Sequence, residues 1–208
     1  MPTDEELFNR WSAGDRAAGD AFIRRLFEPV RRFLASKVGA EVEELAQLTF
    51  SRVLEARERF EGRSSAKSFV LGVARNVVRE HYRHRARAPV DVEDHSVADL
   101  GAGPSTLRWR RREDEHLLAS LRMLPLHMQS VLELYYWEQL NAREIAEVLE
   151  VPEGTVASRL RRAKERLRGI YEGSPVTAEA AEGSPADPAL EQWAERLRGA
   201  VPLDPRTP

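Results

Sequence analysis

Apolar residues recur at three- and four-residue steps along two long blocks, residues 4–88 and 107–171, and the strongest helix breakers are gathered between and after them. A period of that length puts one stripe of each segment on a core and leaves the opposite side to solvent, which predicts α-helices throughout both blocks. Pro29 is the only proline in the first block, while the second is broken at Pro125, around Gln139–Asn141 and at Pro152. From Ala88 to about Thr106 the chain reads APVDVEDHSVADLGAGPST, acidic at first and then rich in Gly, Pro, Ser and Thr, the composition of a flexible connection. Beyond Gly173 it is rich in Gly, Ser, Pro, Glu and Ala, which does not sustain a core, although Asp187-Pro188 suits the start of a short helix that Gly199 would close. The expectation is an all-α chain of two small helical domains, residues 1–88 and 107–172. A flexible acidic linker at 89–106 joins them, and a mostly disordered extension at 173–208 carries a short helix over 188–198. No internal repeat is present.

Size and composition agree with two thin cores. The 208 residues are 42% hydrophobic but 32% charged and only 7% aromatic, so much of each helix faces water. Cysteine is absent, which removes disulfides, thiolate zinc sites and cysteine nucleophiles together and is compatible with a reducing cytoplasm. The start, MPTDEELFNRW, is acidic and amphipathic rather than basic and apolar, and no apolar run approaches the roughly 18 residues of a membrane span. The expectation is a cytoplasmic protein with no membrane insertion.

The formal net charge of −2 speaks against nucleic acid, but its distribution does not. Residues 61–88 hold Arg63, Lys67, Arg75, Arg79, Arg83, Arg85 and Arg87 against Glu61 and Glu80, a local excess of five. Residues 155–171 hold Arg159, Arg161, Arg162, Lys164, Arg166 and Arg168 against Glu165, again an excess of five. Phosphate responds to the local field, so two basic patches on an acidic chain are candidate DNA surfaces. His81 and His84, with Glu80, are spaced as metal ligands could be. Arg83 and Arg85 beside them repel cations, and no further ligand completes a set. No metal, cofactor or catalytic residue is expected.

The second block contains a helix-turn-helix pattern. Asn141 followed three residues later by Glu144 is a capping box; the helix it opens ends near Glu150, and Val151-Pro152-Glu153-Gly154 makes the turn, with Pro152 suited to the first position of the next helix. In that next helix Val156, Leu160, Ala163 and Leu167 share one stripe, while Thr155, Ser158, Arg159, Arg162 and Arg166 lie roughly 120° round. Polar and basic residues near the start of such a helix reach base edges, and those further along suit phosphates. A solvated basic face on an ordinary helical hairpin is the alternative.

In the first block, a helix from about Ser64 to Arg87 buries Val70, Val73, Ala74 and Val77, and Phe69, Gly72, Asn76, Arg79 and Arg83 follow the opposite side. An aromatic ring with an amide and a row of arginines suits unpaired bases, which stack on rings while cations hold the backbone. The plain alternative has Phe69 tucked into the core edge and Asn76 facing solvent. A helix over about Glu41–Phe60 buries Val42, Leu45, Ala46, Thr49 and Val53, leaving Glu44, Gln47, Leu48, Ser51 and Glu55 outward. A leucine framed by Glu and Gln on a free face marks either an ordinary surface residue or a protein-binding ridge.

The segments EELAQLTFSRVLEARERF and SSAKSFVLGVARNVVREHYR, followed by LPLHMQSVLELYYWEQLNAREIAEVLEVPEGTVASRLRRAKERL, resemble in order the two conserved domains of the extracytoplasmic-function RNA polymerase sigma factors. The resemblance spans most of residues 15–170. It implies a protein without catalysis of its own that binds core RNA polymerase and promoter DNA and directs initiation. On that resemblance Glu44, Gln47, Leu48 and Ser51 face core polymerase, with Leu48 standing where the family usually has an acidic residue. Phe60 and Asn76 match positions that hold a flipped base of the minus-ten element. Phe69 stands where a tryptophan is usual beside the melting site, and Lys67, Arg75, Arg79 and Arg83 flank them. Thr155, Ala157, Ser158, Arg159, Arg162 and Arg166 face the minus-thirty-five element. Asp91, Glu93, Asp94 and Asp99 resemble the acidic segment that threads the polymerase's RNA path. Many such proteins are held by an anti-sigma protein and others by extensions, a role open to residues 174–208, where Leu190, Trp193, Ala194 and Leu197 would share a stripe. A stand-alone helix-turn-helix regulator and a sigma-like adaptor are the competing readings.

Overall fold

The structure, a computed structural model, describes residues 1–60, 62, 64–85, 91–105, 107, 112–173, 191–192 and 194–195. Among these every regular element is helical. The elements are α1 (Asp4–Ser12), α2 (Arg16–Ala35), α3 (Val42–Ala56), α4 (Ala66–Arg85), α5 (Arg112–Arg122), α6 (Leu126–Tyr136), α7 (Ala142–Leu149) and α8 (Glu153–Glu172), with 3-10 turns at Arg57–Arg59 and Val92–Asp94.

The first four helices form one unit. Thr3 and Glu6 close a capping box on α1, and Asp15, held by Arg10, caps α2 by accepting from the Ala18 amide at 3.1 Å. Leu7, Phe8 and Trp11 of α1 turn inward onto Phe22 and Leu26 of α2. The two helices approach so closely that a Cβ at Gly19 would stand 2.4 Å from the Trp11 ring, so only glycine fits there. Val42, Leu45, Ala46 and Val53 of α3 and Val70, Leu71, Ala74 and Val77 of α4 complete this core.

The other four helices surround Leu117, Leu121, Val131, Leu134, Trp137, Ile145, Val156, Ala163 and Leu167. The expected capping box is present, with the Glu144 amide donating to Asn141 Oδ1 at 3.0 Å and the Asn141 amide to Glu144 Oε2 at 2.9 Å. Glu150 ends α7 in the left-handed region (φ 55°), a conformation that turns the chain sharply without a glycine, and Pro152 sits at the N-cap of α8 rather than at its first helical position.

The connection departs from the expectation of a loose tether. The chain at 91–105 is packed between the two units: Val92 and Val97 are buried, Ser96 and Asp99 bond each other, and the Leu126 amide donates to the His95 carbonyl at 2.9 Å. Its two valines, spaced so that both reach an apolar surface, give it a place in the fold that Gly, Pro and acidic content conceal.

Of the C-terminal extension, 191–192 and 194–195 are helical, Ala194 is buried, and Glu191, Gln192 and Glu195 border a groove with Tyr135, Tyr136, Gln139 and Leu140. Leu190, Trp193 and Leu197, the rest of the expected helix over 188–198, and the disorder expected for 173–208 lie outside the described residues, as do Arg63 and Arg87 of the first basic patch. Among the described residues no helix is long and apolar enough to cross a membrane.

Candidate nucleic-acid interface

The start of α8 is held by its turn. The Thr155 amide donates to the Pro152 carbonyl at 2.9 Å, and Ser158 Oγ to the Thr155 carbonyl at 3.0 Å. With Val156, Ala163 and Leu167 facing the core, Ala157, Arg162 and Arg166 stand exposed and Thr155, Ser158 and Arg159 half-buried. Arg159 differs from its neighbours on the same face. Burial pulls its guanidinium below the ordinary arginine range, a shift that the charges of Glu93 and Asp94 oppose and that of Arg75 reinforces.

The cations of α4 are deeper still. Lys67 Nζ reaches both the carboxylate (2.9 Å) and the carbonyl (2.8 Å) of Glu138. Arg75, expected on an exposed basic stripe, is only 6% exposed, because α7 and the connection pack over that side of α4. Its guanidinium stands 2.8 Å from Glu93 and 3.4 Å from Glu150. Arg79 meets the same two carboxylates at 3.3 and 3.6 Å and donates to Asn76 Oδ1 at 3.4 Å. Arg83, one turn on, is exposed, and Asn76 is half-buried.

Phe60 and Phe69 are not free rings. Their centroids lie 4.9 Å apart and both rest on the buried Phe8, at 4.8 and 5.9 Å, so Phe69 belongs to the core edge with part of its surface outward. The Phe69 face and the guanidinium row are thus built differently: one is anchored by aromatic packing, the other by charge.

On α3 the outward side is open. Glu44, Gln47, Leu48 and Ser51 are exposed, and Leu54, on the same helix, is more exposed (47%) than Leu48 (38%). Leu54 is absent from the ridge expected from sequence, although its place one turn beyond Ser51 and next to Glu55 is signal enough to add it.

A second set of residues not anticipated from sequence joins the two helical units. Lys37, just past α2, forms a fully buried ion pair with Glu133 of α6, which also accepts from Gln129 at 2.8 Å. Burial lowers the Lys37 pKa and raises that of Glu133, each opposed by the partner's charge. Arg32 donates to Glu138 from two nitrogens at 2.8 and 3.1 Å. A carboxylate embedded between Leu132 and Leu134 is the one sign of this pair in the sequence. Its partner lies 96 residues away, and no local pattern links the two. Among the described residues no group of three or more His, Asp or Glu side chains is placed to hold a metal.

Comparison with known proteins fits this geometry. The sigma-70 region 2 family matches residues 20–88 and the sigma-70 region 4 family residues 115–167. The chain is similar to the ECF RNA polymerase sigma factor SigC of Mycobacterium tuberculosis, at 33% identity over 172 residues, covering 79% of this chain and 89% of the relative. It is similar to the sigma factor HrpL of Pseudomonas syringae pv. syringae, at 31% over 163 residues and 74% and 89% coverage. Among solved structures, CnrH in complex with the cytosolic domain of CnrY superposes with a TM-score of 0.57 at 18% identity, covering 86% of this chain and 99% of that one. The sigma factor RpoE of Bartonella quintana, in complex with the anti-sigma factor NepR, does so with 0.59 at 20%, covering 74% and 97%; both likenesses speak for the fold. Two helical units, each with a basic helix and each matched by its own sigma-70 region, identify the chain as a member of the extracytoplasmic-function sigma factors, which direct RNA polymerase to promoters.

Proposed function

We propose a division of labour among the surfaces of this sigma factor. The ridge of Glu44, Gln47, Leu48 and Ser51 on α3, extended by Leu54, docks on core polymerase. Residues 1–88 carry the minus-ten and melting surface, in which Phe60 and Phe69 offer stacking edges, Asn76 holds a flipped base and Lys67, Arg79 and Arg83 hold the backbone. Residues 107–172 carry the minus-thirty-five reader, in which Thr155, Ala157, Ser158 and Arg159 meet base edges and Arg162 and Arg166 meet phosphates. The observation that carries this reading is the pairing of one open ridge with two cationic helices, each on its own helical core.

The work is physical, with no covalent step and no cofactor, and takes place in the cytoplasm. Unstacking a base costs roughly a few kcal/mol per step, and capture on the Phe60/Phe69 platform offsets that cost. Because Phe8 already fixes both rings, little conformational entropy is lost when a base arrives. An anti-sigma protein is the natural regulator, a reading supported by the complex known for RpoE of Bartonella quintana. The test is Asn76→Ala in the reconstituted holoenzyme. Open-complex formation, read by permanganate footprinting, should fall while retention of duplex promoter stays near wild type; equal loss of both would remove the base-capture role.

A further inference from the structure

Between the connection and α5 lies a groove of about 420 Å³, a size that suits a small molecule. Ala102, Pro104, Leu118 and Ala119 give it apolar walls, and Arg122, at the end of α5, borders it while being only 9% exposed. Among the described residues Arg31, Arg32 and Arg75 are buried as deeply, and each has a carboxylate oxygen at 2.8 Å, whereas Arg122 forms no ion pair with any of them. Its Nη2 donates to the Gly103 carbonyl, and its Nη1 is buried with no hydrogen-bond partner. Burial pulls the guanidinium below the ordinary arginine range; the charge of Glu133 opposes this, but its oxygens are taken by Lys37 and Gln129. A guanidinium is still charged at neutral pH, and a cation withdrawn from water without an anion is costly. The groove beside it is where an anion can be supplied from outside.

We propose that this groove is a binding site for a small carboxylic acid, whose carboxylate meets Arg122 while an apolar body lies along Leu118 and Ala119. One guanidinium in apolar surroundings neutralises one negative charge, which suits a carboxylate and not a doubly charged phosphate. The exposed Glu115, which borders the other part of the groove, adds a second constraint. It stands two turns before Arg122, roughly 10 Å along the helix, and repels an acid group at the far end of a ligand, so monocarboxylates are favoured over dicarboxylates of that span.

Occupancy bears on more than α5. The wall contributed by the connection is held to the first unit by Ser105 Oγ, which donates to the Ala35 carbonyl at 2.7 Å, and by the approach of Gly103 to Gly39, where a Cβ would stand 3.2 Å from the Gly103 Cα. A carboxylate seated on Arg122 therefore stiffens the connection at the place where it touches both helical units.

The experiment is calorimetric titration of the full-length protein with sodium octanoate and with 4-phenylbutyrate, using octanol as a probe of the apolar body alone and acetate as a probe of the acid group alone. Octanoate or 4-phenylbutyrate should saturate about one site per chain with a Kd of about 1 mM or tighter, octanol should bind at least about tenfold more weakly than octanoate, and acetate should not saturate. Arg122→Leu should reduce octanoate to the level of octanol. Ala119→Phe, on the exposed side of α5, should block the groove with Arg122 intact. Octanedioate should bind more weakly than octanoate and regain affinity in Glu115→Gln. Absence of saturable binding by both acids overturns the proposal, as does octanol binding as tightly as octanoate or undiminished octanoate binding in Ala119→Phe. If Arg122→Leu fails to fold, the octanol comparison and Ala119→Phe decide between these outcomes.

Discussion

Helices α4 and α8 are equal in length and carry similar cationic excess, yet they meet their surroundings differently. On α8, Arg162 and Arg166 project into water from a helix whose other side is fastened by Val156, Ala163 and Leu167. On α4, Arg75 is buried and Lys67 and Arg79 are half-buried against carboxylates from the connection and the second unit. A count of basic residues therefore measures the capacity of a helix for phosphate, whereas its availability depends on what the remainder of the chain lays over it.

The largest expected effect lies in the charges that join the units. Lys37→Ala leaves Glu133 buried without its cation, which should cost the closed arrangement about 3–5 kcal/mol. Scattering of the full chain should show expansion, and an unchanged radius would mean that the pair is not what keeps the units together. Next, Arg162→Ala should weaken promoter binding by the holoenzyme by about 1–3 kcal/mol and lower the salt slope by about one, with core affinity and folding unchanged. If Arg162→Ala instead lowered the melting temperature as Lys37→Ala does, the contrast between the two helices would be lost.

Smaller effects sharpen the same contrast. Asn141→Ala removes the α7 cap and should cost about 1 kcal/mol in denaturant unfolding, since α7 is the element by which the second unit rests on α4. Gly72 on α4 and Gly169 on α8 both have open space where a Cβ would go, so alanine at either should add about 0.5–1 kcal/mol of stability. Gly72 shares the outward line of Phe69 and Asn76. A gain in stability there with a loss of open-complex formation would indicate that DNA approaches the α4 backbone closely, whereas Gly169→Ala should leave initiation unaffected.

Much of the fold and part of the interface are legible in the amino-acid sequence. Periodicity locates the helices of both units, and Asn141 with Glu144 places the start of α7 because a capping box involves residues only three apart. The outward α3 ridge is readable for the same reason. Phe69 has two open readings by its spacing, a base-stacking ring or a core-edge residue. That the ring rests partly on the core depends on Phe8, 61 positions nearer the N-terminus, which lies against it. The burial of Arg75 escapes helical phase, which tells which residues share a side without telling what is laid against that side. The packing of the connection escapes composition, because its valines are too few to register against its glycines and acids.

The sequence by itself determined the helical class, the two-part organisation, the helix-turn-helix and the positions of the basic patches, all consequences of spacings within a turn or two of helix. Only the tertiary structure decided that Lys37 meets Glu133, that Glu93 meets both Arg75 and Arg79, and that the connection is packed. Ion pairs between residues so far apart in the chain leave no periodic trace. Their energy depends on distance and on exclusion of water, both of which exist only once the two units have come together.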